Sequence, residues 1–186
     1  MEGYVPDFDN PYPDVEWREI TAFAYVDPLI LRRNARGLVF RRNKEKDADY
    51  ILAENYRVKY RLDGENEDRF ITAPQGMLTD LASVPAIGRG IVGKVGPHLE
   101  ASIVHDFLYI AWHDVEGRGA RKADRKFADK LMRAAMSAAE VNVFKRGIIY
   151  LAVRSFVGWW VYKEENAHRY RRPPDFEDEV DPANPT

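Results

Sequence analysis

The chain has 186 residues, 45% apolar and 12% aromatic, enough for one domain with a sizeable core and too few to argue for two. Its 28 Lys and Arg against 30 Asp and Glu, a formal charge of -2, exclude a net electrostatic pull toward nucleic acid or an anionic membrane and leave only local patches. Having no cysteine, it can form no disulfide, thiolate nucleophile or Cys-based zinc site, so stability must come from packing.

Residues 1–16 mix prolines, acids and aromatics without periodicity and read as a flexible arm, in which Tyr4, Phe8 and Tyr12 could dock on a partner. No basic start precedes an apolar run, and no apolar run approaches about 18 residues, so neither a signal peptide nor a transmembrane segment is expected. The chain reads as soluble and made in the cytoplasm. A single α+β domain is expected over residues 17–168, followed by a Pro-rich acidic tail at 169–186 containing "RRPPDFEDEVDPANPT".

From Glu16 to Thr79 the chain looks mainly β. "ITAFAYV", "GLVFRRN", "YILAENYRVKYRL" and "RFITAP" combine β-branched and aromatic residues with turn signals such as Asp63-Gly64. Strict alternation in "YRVKYRL" predicts Val58, Tyr60 and Leu62 on one face, with Arg57, Lys59 and Arg61 on the other. A loop over 80–96 follows. There Asp80 and Ser83 before Pro85 could form a helix cap or Asx-type turn, or bring a carboxylate and a hydroxyl to the helical stripe described next. Gly88, Gly90, Gly93 and Gly96 allow close backbone approach to a ligand but fit neither the phosphate-loop nor the dinucleotide spacing.

Three helices are predicted: Pro97 to about His113, Arg121 to about Ala139 and Asn142 to about Glu164. In the first, "SIVHDFLYIAWH" places Ser102, His105, Asp106, Tyr109 and His113 within an arc of about 100°, while the rest of the circumference is apolar. A stripe without Lys or Glu on an otherwise buried helix needs internal partners or a cleft. In the second helix Asp124 shares a face with Phe127, Ala128, Leu131 and Ala135, whereas Arg125, Lys126, Asp129 and Arg133 point elsewhere. The short connection "DVEGRGA" makes the two helices antiparallel neighbours, so Asp124 is expected near Tyr109 or His105. An Asp accepting from one imidazole nitrogen fixes the tautomer and leaves the other as a general base. Equally, Asp124 could cap its own helix and His105 could be a satisfied core histidine. The third helix carries Phe144, Ile148, Leu151, Ala152, Phe156, Trp159 and Trp160 at three-to-four spacing and is expected to be the core helix that buries the other two, rather than a membrane anchor.

The motifs "TDLASVP" (79–85), "HDFLY" (105–109), "KADRKF" (122–127) and "YLAVRSF" (150–156) resemble, in order and spacing, the family numbered 1353 among the domains of unknown function, over roughly residues 50 to 160. The resemblance implies association with phages or prophages, and hence partners among virion or assembly proteins and a place in the host cytoplasm or the virion. It assigns no activity. More locally, "HDFLY" and "ADRKF" are similar to the His-Asp helix pair of calcium-dependent secreted phospholipases. That likeness implies His105 as the base on water, Asp124 as its orienting partner, Tyr109 within the site, and Asp106 as a calcium ligand beside carbonyls of the Gly88 to Gly96 loop.

Three functional expectations follow. The first is a phage-associated hydrolase of a lipid ester or cell-envelope bond, with His105, Asp124 and Tyr109 catalytic, Asp80, Ser83 and Ser102 in support, and calcium on Asp106. The second is a non-enzymatic virion or assembly protein whose His/Asp/Tyr network specifies packing. The third is a metal phosphohydrolase drawing on His98 and Asp80.

Overall fold

The computed structural model describes residues 4–14, 18–33, 50–79, 96–163 and 169–172. Strands come first and helices afterwards, the expected α+β arrangement. Strands β1 (Ile20–Tyr25), β4 (Tyr56–Leu62) and β5 (Arg69–Ala73) form one antiparallel sheet in the order β1-β4-β5. Strands β2 (Leu31–Arg33), β3 (Tyr50–Leu52) and β6 (Leu78–Thr79) form a second, in the order β2-β3-β6. The alternation in "YRVKYRL" holds. Val58, Tyr60 and Leu62 are buried, while Lys59 and Arg61 reach the surface and share the carboxylate of Asp68. The segment "YILAENYRVKYRL" is two strands, and "GLVFRRN" lies outside the described residues.

Helix α1 (Leu99–Ile110) continues into a 3-10 turn at Ala111–His113, helix α2 spans Lys122–Ala138, helix α3 spans Val143–Val153 and helix α4 spans Phe156–Lys163. The main core lies between the first sheet and α1, where Val58, Tyr60 and Leu62 meet Ile103, Phe107, Leu108, Phe127 and Tyr162. A smaller core, with Ala101, Met132, Met136, Ile149 and Val153, joins α1, α2 and α3.

One expectation is corrected here. The predicted third helix is two helices with a corner at Arg154–Ser155, and it does not bury the other two. Ile149, Val153 and Tyr162 face inward, whereas Phe144, Leu151 and Trp160 are 74%, 71% and 69% exposed. Apolar residues recur around so much of the segment that a periodicity count could not say which of them the core would take. From the expected arms, Tyr12 enters the core and Phe8 and Tyr170 pack against it. Tyr12 is buried and its hydroxyl donates to the Leu108 carbonyl, and Phe8 packs edge-on against Phe107 at 5.1 Å. Tyr170 bridges Met77 in antiparallel fashion. Prolines mark these stretches as aperiodic, but aromatic side chains at suitable spacing still find core positions.

Candidate functional site

The stripe of α1 meets α2 in a buried polar cluster. His105 and Tyr109 are one helical turn apart, with ring centroids 4.0 Å from each other. Both converge on one carboxylate oxygen. His105 Nε2 lies 3.1 Å from Asp129 Oδ1, and the Tyr109 hydroxyl donates to the same oxygen at 2.7 Å. His105 and Asp129 are only 3% and 2% exposed. Burial first, then the Asp129 charge, hold the Tyr109 pKa far above its ordinary value, so the phenol keeps its proton and remains a donor.

Arg125, one turn before Asp129 on α2, closes the cluster. Its Nε donates to the Tyr109 hydroxyl at 3.3 Å and lies 3.9 Å from Asp129 Oδ2. Its Nη2 donates to the carbonyls of Val153 and Ser155 at 2.8 and 2.9 Å. Those carbonyls stand at the corner where α3 ends, and helix ends leave such acceptors without intrahelical partners. One guanidinium therefore ties the corner to the cluster.

The carboxylate beside His105 is Asp129, not Asp124, which corrects the expected dyad. Asp124 is buried near the start of α2, held by a bidentate pair from Arg118 at 2.7 and 2.9 Å. Arg118 also reaches Asp14 at 3.0 Å and lies over the Tyr12 ring. The reason is register. The 3-10 turn carries the first helix on to His113, so His105 lies eight residues before that end, and its neighbour on the antiparallel helix lies about as far past Lys122. Asp129, seven residues in, matches; Asp124, two residues in, stays level with the turn. Facing missed it too, because α2 packs on α1, on β1 and on α3, and its buried arc is wider than one stripe. Met132 and Met136, three and seven residues beyond Asp129, were the available signal that Asp129 also faces inward.

The other expected residues separate from this cluster. Asp106 Oδ2 accepts from the Thr79 hydroxyl at 2.9 Å, joining α1 to the end of β6. Ser102 donates back to the His98 carbonyl at 3.0 Å within its own helix. Asp80 and Ser83 lie outside the described residues, as do Gly88, Gly90 and Gly93. Among the described residues no three His, Asp or Glu side chains cluster as a metal site would require.

In a neutral imidazole facing an ionised Asp129, which only accepts, the nitrogen on Asp129 carries the proton and His105 Nδ1 the lone pair. Nδ1 is buried and has no hydrogen-bond partner among the described residues. An oriented imidazole with an uncommitted basic nitrogen is what a general base requires.

Neither the curated proteins nor the solved structures contain a match to the chain. A family model does match, over residues 50–153, more than half of the chain, and the family is described as "Protein of unknown function (DUF1353)".

Proposed function

The chain belongs to the DUF1353 family, and from that premise we propose that it is a hydrolase of phage or prophage setting in which His105 activates water against an ester or cell-envelope bond. The observation that supports this is the ring of His105, fixed at Nε2 by Asp129 and unpartnered at its buried Nδ1 among the described residues. Nδ1 takes a proton as the water oxygen bonds to the carbonyl carbon. Asp129 stabilises the resulting imidazolium, and Tyr109 keeps the carboxylate in place. As the carbon–oxygen bond to the leaving group breaks, Nδ1–H returns the proton to that oxygen.

The test uses the purified full chain with short-chain nitrophenyl esters and mixed phospholipid micelles. His105→Asn and Asp129→Asn should each lower turnover by about 10²–10⁴-fold, the range lost with a positioned base. Asp124→Asn should leave turnover near wild type once folding is matched by thermal unfolding. Absence of hydrolysis in the wild type, or turnover indifferent to His105→Asn, overturns the reading.

A second reading is favoured by the near-complete burial of the cluster. There the network specifies helix packing in a virion or assembly protein. It predicts no turnover in the wild type and a loss of about 1–3 kcal/mol in His105→Ala, from partners left unsatisfied.

A further inference from the structure

Nine large apolar side chains are exposed among the described residues, and five of them, Val143, Phe144, Leu151, Trp160 and Val161, fall in α3 and α4. Phe144 and Leu151 are two turns apart and share one face, while Ile149 and Val153, on the far side, enter the core. Helix α3 is thus apolar on both sides, and the core accounts for only one. Patches of this kind mark a binding surface.

The charge around them is one-sided. From Val141 to Lys163 the sequence holds Lys145, Arg146, Arg154 and Lys163 but no Asp or Glu, and acids resume only at Glu164 and Glu165. Among the described residues none of the four pairs with a carboxylate. Arg154 donates to the Tyr150 hydroxyl at 3.1 Å, and Lys163 lies over the Trp159 ring at 5.6 Å. In a chain whose acids and bases nearly balance, this segment is a local basic surface set with exposed aromatics.

We infer that the exposed face of α3 and α4 lies on an anionic lipid surface. Phe144, Leu151, Trp160 and Val161 enter the boundary between headgroups and acyl chains, and Lys145, Arg154 and Lys163 meet lipid phosphates. Trp and Phe beside Lys and Arg, without acids, suit that boundary, where long basic side chains bury their stems and keep their charge in water. Lys145 and Lys163 suit a lipid surface better than a protein interface, which enriches Arg and aromatic residues but depletes Lys. A second copy docked symmetrically would set the same basic side chains against each other. No helix among the described residues is long and apolar enough to cross a membrane, so the contact is with the surface. The inference goes beyond the hydrolase reading. Where both hold, the ester is that of a membrane lipid, and that clause alone rests on His105.

The experiment measures binding without turnover, so it can fail independently of hydrolysis. The full chain is co-sedimented with phosphatidylcholine vesicles and with vesicles that also contain phosphatidylglycerol, while tryptophan emission is followed. Binding to the anionic vesicles with a blue shift is expected, weakened by added salt. The pair Phe144→Gln and Leu151→Gln should lower partition by about tenfold or more, with thermal unfolding unchanged because both side chains are exposed. Lys145→Glu with Arg154→Glu should abolish the preference for phosphatidylglycerol. No co-sedimentation, or binding indifferent to both pairs, overturns the inference. So does self-association in sedimentation velocity that the Gln pair removes without any vesicle binding, which would assign the face to a second copy.

Discussion

His113 lies against Trp112, ring centroids 3.5 Å apart, with both ring nitrogens buried and lacking hydrogen-bond partners among the described residues. Burial, and then the Arg169 guanidinium, push its pKa down to about 4. The folded protein therefore keeps His113 neutral where the unfolded chain would protonate it. Its contribution is complete above the unfolded pKa of about 6.5 and is lost as pH falls toward 4. Its neighbour Asp114, raised by burial against the pull of Arg169, works in the opposite sense and favours the folded state as pH falls. Thermal unfolding from pH 7 to 4 should separate the two: His113→Phe keeps the stacking and should show a shallower acid loss than wild type, whereas parallel curves would remove His113 from the account. At this scale the cluster was legible from sequence for His105 and Tyr109, whose shared face follows from spacing within one helix. The acceptor was not, because Asp124 and Asp129 are both buried on α2, whereas the apolar stripe marked only Asp124 as inward.

The corner between α3 and α4 turns on a glycine. A Cβ on Gly158 would stand 2.0 Å from the Val153 carbonyl oxygen and 3.2 Å from Arg125 Nη2, the same pair of groups that closes the helix end. Gly158→Ala must push apart backbone and guanidinium together. It should cost about 1–3 kcal/mol in urea denaturation, as overpacking does, whereas Gly147→Ala, with nothing within 4 Å of its Cβ, should be no worse than neutral. Loss of Arg125 geometry should also loosen Tyr109. Elements differ in how plainly the sequence declares them. Strand β4 is read directly, since one face of polar residues and one of apolar residues leave a single solution. The corner is hidden, because no proline marks it and its cause is a carbonyl brought close in space.

Across the whole molecule, helix α1 is enclosed by segments far apart along the chain. Tyr12 caps the Leu108 carbonyl, Trp112 donates to the Tyr162 carbonyl at 3.2 Å, and β1 pairs with β4 from outside the stretch that the family shares. Composition foretold a core of this size, and residue patterning the order of strands and helices, but such closures depend on contacts that no local pattern encodes. At the far end, Arg171 N–H donates to the Gly76 carbonyl at 2.7 Å, and Gly76, at a φ of 89°, leaves room where a Cβ would meet the Arg171 carbonyl. The same lacing brings the Tyr170 ring within 6.3 Å of Phe8. In topological terms the contact of Phe8 with Tyr170 closes the backbone between them into a ring, and a ring can be opened elsewhere. A circular permutant that joins the present ends by a flexible linker and starts anew at Glu65, beside the exposed Gly64 of the β4–β5 turn, keeps every contact around α1. It should unfold cooperatively within a few degrees of the parent in a thermal melt, because what holds Phe8 and Tyr170 in place is their packing and not their position in the chain.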